Sequence, residues 1–348
     1  LEGEAGAKRF GRYRARGSFN GVVVTAPKSS YALGVIGRER LRLGGELGAD
    51  GTAWARIAER LPGVAEDQPG ASTAVDFALK PGETKVVRFL LAWHCPQWKG
   101  GGYNWREGPL AGNTYTHTYA KYYPSALEAA HLLAREHKTL LRRILAWQEA
   151  VYADQELPVW LRESLVNILH VFTEVGLWPQ ARPPIPDWVR PEDGLFGLNE
   201  SPRGCPDMEC LPCTIFGQVP LLYFFPELAL SNLRGYKGYQ NAEGALPIIW
   251  GGFLGGTPPT DFVHPVYAYQ TTTNNVSYLA IAYRYWLVTG DEAFLREFYP
   301  SVKAATLFMV NLNRGPDGIV SMPDRIVDAG GKNTDWYEMY ELHQVSPL

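Results

Sequence analysis

The spacing of apolar and polar positions changes once along this 348-residue chain. Up to about residue 95 the runs are short and either alternating or wholly apolar. GVVVTA (21–26), YALGVIG (31–37), TAVDFALK (73–80) and KVVRFLLAWHC (85–95) are punctuated by Gly, Pro and Asp, and this predicts strands. In the last run Lys85, Val87, Phe89, Leu91 and Trp93 share one face, and Val86, Arg88, Leu90 and Ala92 share the other. A Gly- and aromatic-rich loop follows over 95–125. The step then becomes three to four residues. Ala126, Ala130, Leu133, His137, Leu140, Ile144, Trp147 and Val151 predict a long helix with Ser125 as its N-cap. A second helix is predicted from near Pro158, on Leu161, Leu165, Ile168 and Phe172. Helical spacing returns at 214–235, 274–288 and 292–311, with Asp291 capping the last. The Pro-rich stretch 179–197 cannot be a long helix and reads as an ordered loop.

Strands followed by serial helices with long connections suit two domains. The expectation is an antiparallel β-sandwich over 1–115, then an α/α toroid over 116–348. Few strands and five or six helices imply a sandwich incomplete at its start and a barrel lacking its C-terminal part. Composition adds less. The chain is 46% hydrophobic and 20% charged, which fits a globular protein. A net charge of −3 gives no electrostatic footprint for nucleic acid, and no apolar run has the length of a transmembrane helix. The first residues lack the layout of a signal peptide, and the compartment is left open, with cytoplasm slightly favoured. The 11 Trp and 19 Tyr suit either a large helical core or stacking on sugar rings.

Several chemistries are missing from the sequence. There is no G-x-S-x-G elbow, no G-x-x-x-x-G-K-[ST] loop and no H-E-x-x-H pair. Cys205, Cys210 and Cys213 read C-x4-C-x2-C, with Cys95 far upstream. Zinc sites usually show tighter pairing and a clear fourth ligand, so packing thiols are expected, with a local disulfide or a structural metal as alternatives. What remains is a set of carboxylates in irregular segments: Asp187, Asp193, Glu200, Asp207, Glu209, Asp261, Asp324, Asp328 and Asp335. Most should be turn formers or caps. A pair of them among aromatics is what glycoside hydrolysis needs, one to attack or activate water and one to protonate the leaving oxygen.

An ordered series of segments resembles glycoside hydrolase family 116, the family of non-lysosomal glucosylceramidase and microbial β-glucosidases. It comprises FLLAWHCPQW (89–98), YTHTYAKYYPSALEAA (115–130), ELPVWLRESLVNILH (156–170), GLFGLNES (194–201), FFPELALS (224–231), AYRYWLVTGDEAFLREFYPSVKAA (282–305), PDGIV (316–320) and NTDWY (333–337). The resemblance implies an N-terminal β-sandwich, a C-terminal (α/α)6 barrel, and hydrolysis of β-glycosides with retention. It further implies Glu200 as nucleophile and Asp335 as acid/base, with Asn333, Thr334 and Trp336 beside the sugar. Glu209 is the rival to Glu200 and a further substrate-binding candidate. The chain departs from the family at Ile248, where a sugar-contacting His is expected, at Pro220 inside IFGQVP, and at Leu211 in place of a carboxylate. A non-catalytic carbohydrate-binding relative and an inverting toroid glycosidase are therefore the alternatives. A carbohydrate or glycoside is the expected partner, and the oligomeric state is left open. No cofactor is expected; Asn311, Asn313 and Asp317 faintly resemble a calcium loop, but Gly315 takes a ligand position and no terminal Glu follows.

Overall fold

The computed structural model describes residues 9–37, 39–100, 102–104, 108–110, 112–201, 205–252, 261–267 and 271–311. Packing divides the chain into two compact units, Leu1–Gln97 with His117–Glu156, and Trp98–Thr116 with Leu157–Leu348. The chain is thus β-rich first and helical afterwards, as its change of period predicts.

In the first unit β1 (Gly11–Ala15), β2 (Phe19–Thr25), β3 (Ser30–Ile36) and β6 (Phe89–His94) form an antiparallel sheet in the order β1-β2-β3-β6. The short β4 (Leu41–Gly44) and β5 (Ser72–Val75) pair as a separate ribbon, and Thr52–Ala55 forms a single helical turn, α1. The register places Val23 opposite Ala32 and Ala32 opposite Ala92. That face, with Phe19 and Leu90, packs on the alanines of α2 (Ala126–Ala153), namely Ala126, Ala130 and Ala134. Side chains this small let the helix lie close to the sheet. The reverse face joins Phe10, Val22 and Val24 to Leu33, Leu43 and Ala71, while Phe89, Leu91 and Trp93 are exposed. The Ser125 hydroxyl accepts from the Glu128 amide at 3.1 Å and caps α2 as predicted.

In the second unit β7 (Gln97–Lys99) pairs with β10 (Thr114–Thr116), and β8 (Gly102–Asn104) with β9 (Gly108–Leu110). Next come α3 (Val159–Asn167) and α4 (His170–Glu174), where one helix is predicted. Then β11 (Gly176–Leu177), β12 (Gly197–Ser201) and β13 (Cys205–Met208) form a three-stranded antiparallel sheet. The predicted helical stretch 214–235 is two helices, α5 (Leu211–Phe224) and α6 (Pro226–Tyr239), followed by α7 (Thr271–Thr289) and α8 (Glu292–Asn311). Asp291 Oδ1 accepts from the amides of Ala293 at 2.8 Å and Phe294 at 3.2 Å, the cap predicted for α8. Pro220 stands inside α5 without ending it. The core of this unit is aromatic, with Trp250, Tyr236, Tyr278 and Phe262 fully buried around Leu198 and Met208.

Candidate active site

The candidate site is built on β12. Its first residue has to be small, because a Cβ on Gly197 would lie 2.5 Å from Met208 Sδ and 3.1 Å from Trp250 Cζ3. The strand therefore lies tight against the aromatic core, and its pairing with β13 is irregular between Asn199 and Ser201. Glu200 sits in that irregular stretch. It is half-buried, and its Oε2 is closed off from solvent with no hydrogen-bond partner among the described residues.

The start of α5 brings two cysteines to this carboxylate. Cys210 is the residue before the helix, and the amides of Cys213 and Thr214 both donate to its carbonyl at 2.8 Å. The Cys210 and Cys213 sulfurs are 3.3 Å apart as free thiols, and a Glu200 oxygen and both sulfurs lie within 4.8 Å of one another. Hydrogen bonding to Cys213, burial, the charge of Cys213, and then the charge of Glu200 and a hydrogen bond to it all push the Cys210 thiol up from its ordinary pKa. Spacing alone places Cys210 and Cys213 on one helical turn, but nothing in it joins them to a residue ten positions upstream.

Ile248 lies in the wall behind Cys210. It is buried with Cys210, Ile249 and Val266 in one apolar cluster. The Leu211 amide donates to its carbonyl at 3.2 Å, and its own amide donates to Val266 at 2.8 Å. The segment through Trp250 and Gly251 then extends the sheet by exchanging backbone bonds with Met208, each 2.8 Å.

Glu209 is held quite differently from Glu200. It is wholly buried, with a positive φ of 59°, and its carboxylate accepts from five groups. These are the Leu198 amide, Asn232 Nδ2 at 2.6 Å, the Tyr236 hydroxyl at 2.7 Å, and Thr214 Oγ1 and Gln218 Nε2 at 3.3 Å each. Burial nevertheless outweighs these bonds and raises its pKa to about 7. The bond to Leu198 fixes β12 two residues before Glu200.

The remaining carboxylates separate by environment. Asp187 is exposed, and Asp193 pairs with Arg234 at 2.6 Å. Asp207 and Asp261 are fully buried. Asp261 accepts from the Tyr115 hydroxyl and from His264 Nδ1, an arrangement the sequence signals only by a His three residues after an Asp. Asp324, Asp328 and Asp335 lie outside the described residues, as do Asn333, Thr334, Trp336, Asn313 and Asp317. Asn311 is the exposed last residue of α8. A groove of about 460 Å³ between α5 and α7 is lined by residues including Leu222, Ile281 and Arg284, and it carries no carboxylate. Among the described residues, no helix is long and apolar enough to cross a membrane.

Residues 42–140 match the family described as beta-glucosidase 2, glycosyl-hydrolase family 116 N-term. The match runs from β4 into α2, covers less than a third of the chain, and stops before β12. Over that stretch the chain is similar to glycosyl-hydrolase family 116.

Proposed function

We propose that the protein is a retaining β-glycosidase acting on β-glucosides or related β-glycosides. Glu200 attacks the anomeric carbon, and Asp335 protonates the leaving oxygen and then activates water. The observation that carries this reading is the contrast between the two glutamates. Every approach to the Glu209 carboxylate is occupied by a donor, whereas Glu200 keeps an oxygen with no partner among the described residues. A nucleophile needs such a lone pair. Asn333, Thr334 and Trp336 would border the sugar beside Asp335, and Glu209 supports the site by holding β12. The β region is the family's sandwich in this reading, and α5–α8 belong to its (α/α)6 barrel.

The test is turnover of an aryl β-glucoside. Glu200→Gln should lower kcat by at least ~10³-fold, as loss of a covalent catalyst does. Glu200→Ala with added azide should recover turnover and give the glycosyl azide of inverted configuration. A Glu200→Gln protein that keeps its rate would remove Glu200 from the mechanism. A non-catalytic carbohydrate-binding relative would instead bind the glycoside with no turnover in the parent protein.

A further inference from the structure

The geometry points to a binding site for a thiophilic divalent cation formed by Glu200, Cys210 and Cys213, whose occupation blocks the Glu200 carboxylate. The block on activity rests on Glu200 being the nucleophile; the binding does not.

The donor set is two sulfurs and one carboxylate oxygen, a combination suited to Zn²⁺ and poorly suited to Ca²⁺ or Mg²⁺. The two cysteines have the C-x2-C spacing of half a zinc site, held by the first turn of α5. The third ligand comes from another element, β12, so the site exists only in the folded chain. Distances agree with the chemistry. A tetrahedral zinc with Zn–S of about 2.3 Å and Zn–O of about 2.0 Å sets its ligand atoms roughly 3.5–3.8 Å apart. The sulfurs stand 3.3 Å apart, and all three ligand atoms lie within 4.8 Å of each other. Small side-chain rotations close the difference, and Cys213, which is exposed, is free to make them. The same exposed side gives the ion a path in and a place for a water as fourth ligand.

A divalent cation bound by the two thiolates displaces their protons, so each ion bound releases up to two protons to the buffer and binding tightens as pH rises. Glu200 contributes an oxygen that no described donor satisfies. Once that carboxylate is coordinated, the lone pair needed for attack is engaged. Zn²⁺ is thus an inhibitor here, reversed by a chelator.

The full chain, reduced and metal-free, is titrated with Co²⁺ and then Zn²⁺. One equivalent of Co²⁺ should give sulfur-to-cobalt charge-transfer absorption and the visible bands of a tetrahedral site, both displaced by Zn²⁺. Cys213→Ser should weaken binding at least ~10-fold and halve the charge-transfer intensity, and Cys210→Ala gives a second reading should one variant misfold. Cys95→Ser should leave the bands unchanged. Glu200→Gln should weaken binding while keeping the charge-transfer bands. Zn²⁺ should reduce aryl β-glucoside turnover in the parent, and the Zn²⁺ needed for half-inhibition should rise at least ~10-fold in Cys213→Ser, each protein scored against its own metal-free rate. Absence of charge-transfer absorption in the reduced parent, or its persistence in both cysteine variants, overturns the site. Cobalt bound through sulfur with turnover unaffected by Zn²⁺ keeps the site and overturns the block, and with it Glu200 as nucleophile.

Discussion

Two glutamates nine positions apart show what a single residue's surroundings decide. Both stand in a Gly- and Cys-rich stretch, and the sequence offers each as a candidate. The donors that enclose Glu209 come from Leu198, Thr214, Gln218, Asn232 and Tyr236, which no local pattern gathers. That is why residue order shows two candidates but not how differently they are held. The enclosure has a measurable consequence. At pH 5 the protonated Glu209 hydroxyl still offers lone pairs to the surrounding donors, whereas the amide nitrogen of Glu209→Gln offers none, and such a mismatch costs about 1–3 kcal/mol. Chemical denaturation at pH 5 should show that loss. Glu209→Ala should cost more, since it leaves all five donors without their acceptor and frees β12 beside Glu200. A Gln variant as stable as the parent would mean that the five bonds are not formed together.

Elements were legible where their period was strong and hidden where it was not. β6 falls within a predicted strand, and β2 and β3 overlap theirs but start one or two residues earlier, while β1 (GRYRA) and β4 (LRLG) carry too many arginines and glycines to be seen. For α2 the helix is where it was expected, but the apolar stripe misleads about its packing. Ala126, Ala130 and Ala134 are buried, whereas Leu140 and Ile144 on the same stripe are exposed. Small side chains leave little hydrophobic signal even where they let a helix lie close to a sheet. α6 repeats this at Gly235. A Cβ there would stand 2.5 Å from Trp250 Cζ2 and 2.8 Å from Leu195 Cδ1, and Trp250 is fully buried. At an exposed helix position Gly→Ala stabilises by about 1 kcal/mol. Here overpacking should reverse the sign, and Gly235→Ala should lose about 1–3 kcal/mol. A thermal melt reads the sign directly, and a raised Tm would show that the tryptophan yields at no cost.

At the scale of the whole molecule, two carboxylates with opposite shifts should shape how stability depends on pH. Glu297 on α8 is partly buried, which alone would raise its pKa. Hydrogen bonds and charge from Arg234, with further charge from Lys237 and Arg190, overcome this and hold it at about 2. Between about 2 and its ordinary 4.5 the unfolded chain carries more protons at this position, so stability rises with pH and is lost as pH falls through that window. Glu209 acts in the opposite sense. With a folded value of about 7 against an ordinary 4.5, the folded chain holds the extra proton, so stability falls as pH rises from 4.5 to 7. Their joint contribution is therefore greatest near pH 4.5. The difference between parent and variant melts isolates each term, because other groups cancel. Glu297→Gln should remove the rise below pH 4.5, and Glu209→Gln should remove the fall between pH 5 and 7. The cost of Glu209→Gln should then shrink as pH rises through that interval. An unchanged slope there would show that the buried carboxylate is ionised throughout, with its five donors outweighing its desolvation.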